Sequence, residues 1–243
     1  MFVSSLTFLI VRWVDRSLIS IRFVNCIPPR IKTTIAAASF SGGVILAADS
    51  RTSSGSYVAN KVQDKISRLA DNVYLCRSGS ASDTQAVVSY VRNFIQQQSV
   101  QEGQPGYMDV GRAATVAMHV AYNNKDRLSA GMIIAGWDER DGGSVYALPL
   151  GGTLLRCPFT IGGSGSAYIY GWCDDAFRDG MDQRECEAFC ARAVSLAMAR
   201  DGSSGGVIRM VIVTKDGIER KMLTGAEVEQ HYGEIGIIGD KMA

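Results

Sequence analysis

Three segments place residue types capable of acid–base or nucleophilic chemistry beside apolar, strand-forming runs. Asp49 closes the run Val-Ile-Leu-Ala-Ala, and Lys65 follows Asp64 ahead of the apolar Ile66. The third segment, 201–206, reads Asp-Gly-Ser-Ser-Gly-Gly and follows a long helix-like segment. Carboxylate, amine and hydroxyl groups serve hydrolases as general acids, bases and nucleophiles. Taken singly, the same residues are also consistent with a strand-end carboxylate, a surface lysine and a flexible turn.

The usual signatures of nucleophilic and metal-dependent hydrolases are absent from the sequence. A Ser-His-Asp triad requires a histidine oriented by a carboxylate, but His119 falls within a predicted helix and His231 in the polar C-terminal tail. The run Gly-Gly-Ser-Gly-Ser at 162–166 lacks the glycine spacing of a nucleophile elbow. The sequence has no Gly-rich phosphate loop with its lysine and no His-Glu-x-x-His motif.

Composition excludes several other classes of protein. The chain has 243 residues, 47% of them hydrophobic, and a formal net charge of +1 with no long basic block. This balance predicts one well-filled globular domain and argues against nucleic acid as the main partner. The six cysteines form no CxxC pair and are predicted to be buried thiols in a reducing compartment rather than ligands of a metal. They are Cys26, Cys76, Cys157, Cys173, Cys186 and Cys190.

The elements that must position the polar residues follow from hydrophobic periodicity. Strands are predicted at 34–40, 44–48, 73–76, 132–137, 145–148, 207–214 and 218–223, with β-prone pieces near Leu154 and Phe159. Helices are predicted from Ser82, where Ser-x-x-Gln forms a capping-box pattern, over 109–125, from about Ser166, and over 182–199. Strands grouped apart from helices indicate an α+β fold, with two antiparallel sheets covered by a helix pair on each outer side.

The first 32 residues differ from the rest of the chain. The apolar run 6–11 is too short to span a membrane and short even for a signal-peptide core, and no small-residue cleavage site follows it. The pair Pro28-Pro29 then marks an extended break before Thr33. Residues 1–32 are therefore predicted to be a processed or poorly ordered leader, and 33–243 a single domain.

Six segments, in this order, resemble the catalytic beta subunits of the eukaryotic proteasome, threonine peptidases of the N-terminal nucleophile hydrolase superfamily. They read Thr-Thr-Ile at 33–35, Ala-Ala-Asp-Ser-Arg at 47–51, Cys-Arg-Ser-Gly-Ser at 76–80, Ala-Gly-Trp-Asp at 135–138, Gly-Ser-Gly-Ser at 163–166 and Arg-Asp-Gly-Ser-Ser-Gly-Gly at 200–206. Within the family the similarity is to subunits of caspase-like, post-acidic specificity. The resemblance implies a four-layer αββα sandwich, which agrees with the predicted order of elements.

The resemblance also implies a mechanism. Thr33 would become the first residue and act as the nucleophile, with its free α-amine, of unperturbed pKa near ~8, available to accept the hydroxyl proton. Lys65 would lie beside Thr33, paired with Asp49, and either Lys65 or the amine could take the proton. The N–H of Gly79 would point at the developing oxyanion. The positions that match those holding the threonine and its water are Ser164, Asp201 and Ser204.

Substrate and partners follow from the same resemblance. Arg77 matches a position lining the pocket for the residue before the cut bond, where a guanidinium favours Glu or Asp; the alternative is an Arg paired with a neighbouring carboxylate. Thr52 and Ser53 match substrate-binding positions. The family works without a cofactor in a particle of stacked seven-membered alpha and beta rings, acting on unfolded or ubiquitin-targeted chains in cytoplasm and nucleus, with neither nucleic acid nor membrane as a partner.

The sequence departs from the family directly before the nucleophile, where Lys32 replaces the usual Gly. Self-cleavage of the leader requires the Thr33 hydroxyl to attack the preceding carbonyl, and glycine permits backbone geometries that a residue with a Cβ resists. Two alternatives therefore stay open. One is a non-catalytic structural beta subunit that retains its leader, and the other is a different N-terminal nucleophile hydrolase acting on small amides.

Overall fold

A computed structural model describes residues 30–31, 33–54 and 57–231. Its strands are β1 (Arg30–Ile31), β2 (Thr34–Phe40), β3 (Gly43–Asp49), β4 (Thr52–Ser54), β5 (Tyr57–Asn60), β6 (Ile66–Arg68), β7 (Val73–Ser80), β8 (Ala130–Asp138), β9 (Gly142–Leu148), β10 (Leu155–Arg156), β11 (Phe159–Gly163), β12 (Ile208–Thr214) and β13 (Gly217–Leu223). Its α-helices are α1 (Ala81–Gln101), α2 (Val110–Asn123), α3 (Tyr170–Ala176) and α4 (Gln183–Arg200), and 3₁₀ turns span Ser164–Tyr168 and Gly225–Glu227.

The strands form two larger antiparallel sheets. The first has the order β1-β7-β8-β9-β10, with β6 also paired to β7, and the second has the order β11-β2-β3-β12-β13. Strands β4 and β5 form a separate ribbon. Strands β6 to β10 in the first sheet, and the pairs β2–β3 and β12–β13 in the second, are neighbours that follow one another in sequence, as expected where short turns such as Asp216-Gly217 connect antiparallel strands.

Alternation along β2 shows how the layers form. Ile35 and Ala37 point into the core between the two sheets, whereas Ala36 and Ala38 point to the opposite face, against α4. A side-chain period of two gives the strand these two buried faces. The helix predicted over 182–199 is α4, and its apolar stripe is buried throughout and packs on that outer face; the stripe consists of Cys186, Phe189, Cys190, Ala193, Val194 and Ala197.

Helices α1 and α2 cover the outer face of the first sheet in the same way. Small residues on α2, among them Ala113, Ala114 and Ala117, are fully buried in one cluster with Ile134 of β8 and Leu148 of β9. Burying an aliphatic side chain the size of Val or Leu contributes roughly 1.5–3 kcal/mol. The layers are thus helices, sheet, sheet and helices, and the predicted α+β, four-layer αββα sandwich is confirmed.

The ends of the helices differ from the prediction in two places. Helix α1 begins at Ala81 and its cap is Ser80, whose Oγ accepts a hydrogen bond from the Asp83 N–H at 3.4 Å, so the predicted cap at Ser82 is wrong by two residues. Ser80 and Ser82 offer the same capping chemistry. Ser80 is the cap because β7 ends at that residue and the helix begins directly after it. The helix predicted from Ser166 is instead a 3₁₀ turn followed by α3.

The cysteines fit the prediction of buried thiols where the structure describes them. Cys76, Cys173, Cys186 and Cys190 are buried, and Cys157 is partly buried. Burial raises the pKa of Cys173 to about 12, which disfavours the reactive thiolate. The predicted leader, with Cys26, lies outside the described residues apart from the backbone of β1. None of the helices within the described ranges combines the length and apolar composition needed to cross a membrane.

Candidate active site

Sheet register brings the predicted site residues together at one end of the second sheet. Thr34 pairs with Gly163 of β11, Ile35 pairs with Ala48, and Ile208 pairs with Asp49. These pairings place the residue after β11, the residue before β2 and the loop before β12 around the C-terminal end of β3. Three segments far apart in the sequence therefore meet within hydrogen-bonding distance.

Asp49 is the centre of this cluster. Its carboxylate is fully buried, and Oδ1 accepts hydrogen bonds from the Thr33 hydroxyl at 3.1 Å, the Thr34 N–H at 2.9 Å and the Lys65 ammonium at 2.6 Å. Oδ2 accepts from the backbone N–H groups of Arg51 at 3.1 Å and Gly205 at 3.0 Å. A buried charge is tolerated when it is paired and hydrogen-bonded in this way.

Lys65 is as deeply buried as Asp49, with only 1% of its surface exposed. Its Nζ donates to Asp49 Oδ1 and to the carbonyl oxygen of Arg51 at 2.7 Å. Burial lowers the pKa of Lys65, and the neighbouring Asp49 carboxylate opposes that shift. A desolvated lysine in a charge pair next to a hydroxyl is characteristic of catalytic sites, because burial and pairing tune such groups for proton transfer.

A second hydrogen-bonded cluster, built around the carboxylate of Asp201, lies at the backbone nitrogen of Thr33. The Thr33 N–H donates to Ser164 Oγ at 3.0 Å, and that hydroxyl donates to Asp201 Oδ2 at 2.7 Å. Ser204 Oγ donates to the same Asp201 oxygen at 2.8 Å and lies 2.8 Å from the Thr34 hydroxyl. Burial alone would raise the pKa of Asp201, but hydrogen bonds from Ser164, Ser204 and Ser203 hold it below its usual value.

Gly79 occupies a position that only glycine suits. It lies in β7 with φ of 108°, and a Cβ there would overlap the carbonyl oxygen of Ser129. Ile31, two residues before Thr33, pairs with Gly79, and Arg30 pairs with Ser80. The segment entering Thr33 therefore forms an antiparallel strand along the edge of β7.

Strand β1 also lies beside β4, which carries Thr52 and Ser53. Both side chains are buried, and the Thr52 hydroxyl donates to Gln63 Oε1 at 2.6 Å. An extended segment thus lies between β7 and β4, which is the arrangement expected for a peptide that binds by strand addition.

Arg77 lies two residues before Gly79 on β7 and is 7% exposed. Its backbone N–H donates to the carbonyl of Lys65 at 2.9 Å, and its Nη2 donates to the carbonyl of Asp64 at 2.7 Å. Among the described residues no carboxylate forms an ion pair with it, and its Nε has no hydrogen-bond partner. The alternative predicted for Arg77, an ion pair with a neighbouring carboxylate, is not the arrangement in the structure.

Sequence reasoning assigned no role to four residues of the site: Arg51 through its carbonyl and N–H, Thr34 through its hydroxyl, and Ser203 and Gly205 through their N–H groups. Each lies in a quoted motif, but backbone groups leave no trace in residue type, and the Thr34 contact joins residues 170 positions apart. The described residues contain no group of His, Cys, Asp and Glu side chains arranged to hold a metal ion.

Comparison with known proteins agrees with this geometry. Residues 31–213 match the family model described as proteasome subunit. The chain is 50% identical to proteasome subunit beta type-6 of Arabidopsis thaliana over 86% of this chain and 88% of that protein. It is 55% identical to probable proteasome subunit beta type-1 of Schizosaccharomyces pombe, with 79% and 84% covered. With proteasome subunit beta type-1 of Saccharomyces cerevisiae the identity is 47%, with 82% and 91% covered.

Proposed function

Because this chain belongs to the proteasome beta-subunit family, we propose that it is a catalytic member, a threonine endopeptidase whose nucleophile is Thr33 after residues 1–32 are removed. Membership of the family implies assembly with other proteasome subunits in the core particle, which decides against a small amidase. The observation that carries the proposal is the buried contact of the Thr33 hydroxyl with the Asp49–Lys65 pair.

A purely structural subunit would gain little from that pair. Replacing a buried ion pair with apolar side chains is often neutral or stabilising, so such a pair is weak evidence for stability. A hydroxyl nucleophile, in contrast, needs a proton acceptor and a nearby positive charge. Lys65 supplies the charge, and Asp49 fixes the positions of both Lys65 and Thr33 through one oxygen atom.

Removal of the leader supplies the remaining group. While Thr33 is joined to residue 32 its nitrogen is an amide, which cannot accept a proton. Cleavage converts that nitrogen to an α-amine, whose unperturbed pKa near ~8 suits a general base at neutral pH. The Thr33 amine would then lie 3.0 Å from Ser164 Oγ, whose hydroxyl is bound to Asp201 together with that of Ser204. These hydrogen bonds would orient the amine toward the Thr33 hydroxyl.

Substrate would bind as an extended strand in the place that β1 occupies between β7 and β4. In this arrangement Thr52 and Ser53 flank the peptide, and the Gly79 N–H lies beside the scissile carbonyl to stabilise the oxyanion, a contribution worth on the order of 3 kcal/mol. Extended binding requires an unfolded chain. Seven-membered rings, unfolded or ubiquitin-targeted substrates, and a place in cytoplasm and nucleus belong to this proposal.

The state of the N-terminus tests the proposal directly. We expect N-terminal sequencing and intact mass of the subunit, isolated from its native particle, to show a start at Thr33. A leader still attached to Thr33 in mature particles would contradict a catalytic role, and the chain would then be a structural beta subunit. The other subunits of the same particle serve as the internal control for complete maturation.

Post-acidic specificity is proposed from Arg77, a buried guanidinium with no carboxylate partner in the described part of the chain. We expect Arg77→Met to lower kcat/KM for a peptide with Glu before the cut bond by about 10- to 100-fold, the equivalent of one charge-assisted hydrogen bond. Cleavage after Leu is expected to change little. The post-acidic kcat/KM of Arg77→Lys should lie between those of Arg77→Met and the wild type, because lysine keeps the charge without the planar fork of the guanidinium. Equal post-acidic rates in Arg77→Met and wild-type particles would show that Arg77 does not bind the acidic side chain of the substrate.

A further inference from the structure

The surroundings of Arg77 raise the question of why a neighbouring acidic residue does not pair with it. Asp64 is the acidic residue that contacts Arg77, since its carbonyl oxygen accepts the Arg77 Nη2 hydrogen bond. Burial lowers the pKa of Arg77, and the negative charge of Asp64 opposes that shift, so the carboxylate is close enough to act on the guanidinium. A buried cation normally takes such a carboxylate as its counter-ion.

The Asp64 carboxylate is instead bound on both oxygens by other groups. Its Oδ1 accepts the backbone N–H of Ile66 at 2.9 Å, closing a tight turn ahead of β6. Its Oδ2 accepts from Arg220 Nη1 at 3.0 Å. Each carboxylate oxygen of Asp64 therefore has a hydrogen-bond donor other than Arg77.

Arg220 reaches Asp64 from the other sheet. It lies on β13, at the edge of the second sheet, and its guanidinium stands over the ring of Tyr74 on β7 at 5.6 Å from the centroid. The stacking on Tyr74 fixes the direction in which the guanidinium approaches Asp64. The side chain is half exposed, so its contribution to overall stability is small.

We propose that Arg220 is a positioning residue for substrate specificity: by holding the Asp64 carboxylate, it leaves the Arg77 guanidinium free for an acidic side chain of the substrate. This inference rests on the proposed post-acidic role of Arg77. Arg220 touches no substrate, and it acts through Asp64 by removing an internal competitor for the pocket. Asp64 and the substrate carboxylate are alternatives for the same cation, and Arg220 decides between them.

The test is a set of variants in assembled particles with Thr33 at the N-terminus. Arg220→Met is expected to release Asp64 toward Arg77 and to lower post-acidic kcat/KM about 10-fold, through a higher KM at nearly constant kcat. The kcat/KM for cleavage after Leu is expected to stay within about 2-fold of the wild-type value, because a leucine side chain does not bind the Arg77 guanidinium. Unchanged post-acidic KM in Arg220→Met would overturn the inference.

The double variant Arg220→Met with Asp64→Asn separates positioning from simple damage. The amide introduced by Asp64→Asn can still accept the Ile66 N–H but carries no charge to compete, so post-acidic KM should return to within about 2-fold of wild type. A double variant as impaired as Arg220→Met would show a merely structural role and sink the proposal. Arg112→Met, which removes an exposed ion pair with Glu102 between the helices, is the matched control and should change neither activity.

Failure of this inference can be told apart from failure of the proposed function. If wild-type particles starting at Thr33 show no cleavage after Glu by this subunit, the post-acidic assignment falls and the role of Arg220 with it. If wild-type particles cleave after Glu and Arg220→Met does so with the same KM, Arg77 keeps its role and only the Arg220 proposal is lost.

Discussion

Replacing Thr33 with Ala is expected to reduce hydrolysis by this subunit to background, a loss on the order of 10⁶-fold, as is typical when a hydrolase loses its nucleophile. The Thr33 hydroxyl makes one hydrogen bond within the described residues, to Asp49 Oδ1, so its removal leaves the rest of the cluster in place. Rates with a fluorogenic post-acidic peptide, compared with the activities of the other subunits in the same particle, measure the effect.

Two controls make the Thr33 result specific. Thr33→Ser retains the hydroxyl and should keep substantial activity, because the group that attacks is unchanged. Each variant is produced with a removable tag directly ahead of residue 33, so that loss of self-processing is not mistaken for loss of turnover. Post-acidic hydrolysis by Thr33→Ala at more than about a hundredth of the wild-type rate would place the nucleophile elsewhere.

Replacing Lys65 with Met is expected to lower kcat at least about 10³-fold. The change removes the positive charge beside Thr33 and leaves the Asp49 carboxylate buried without its cation. Breaking a buried pair in this way typically costs about 3–5 kcal/mol of stability, so a lower melting temperature of the particle is expected together with the loss of turnover. Intact mass and native gel electrophoresis show whether the variant subunit is still incorporated.

Lys221→Met is the matched control for Lys65→Met. Lys221 also pairs with a carboxylate, Glu187 Oε2 at 2.7 Å, but it lies partly exposed on β13. Its loss is expected to leave turnover within about 2-fold of wild type, because exposed pairs contribute about 1 kcal/mol or less and this one is not part of the cluster. If incorporated Lys65→Met subunits turned over substrate as fast as the Lys221→Met control, Lys65 would have no part in catalysis.

Periodicity and residue type predicted much of this molecule. The β-prone runs at 34–40 and 44–48, the helix predicted over 182–199 and the turn at Asp216-Gly217 gave the order of strands and helices and the layered class, because these signals are local. The short strands β4 to β6 were not predicted. Strand β5 is exposed along its whole length and carries no alternation to detect.

The residues of the candidate site were also found in the sequence, some within the six segments and others, such as Lys65, outside them, but not as a cluster. Asp49, Lys65 and Asp201 each had an ordinary local interpretation, and only the ordered set of segments resembled a known family. The catalytic and binding roles of the site residues remain predictions, and the variants described test those of Thr33, Lys65 and Arg77. The predicted processing of residues 1–32 and the location in cytoplasm and nucleus are likewise proposals.

What the tertiary structure decided is which distant groups meet. The pairing of Ile208 with Asp49 brings the 201–206 loop to the end of β3, and a shift of that register by one residue would turn Asp49 to the other face of its sheet. The contact between Arg220 and Asp64 joins β13 of the second sheet to the loop ahead of β6, across 156 positions of the chain. Local periodicity fixes which face of a strand is buried but carries no information about its partner, so such contacts follow only from how the two sheets pack.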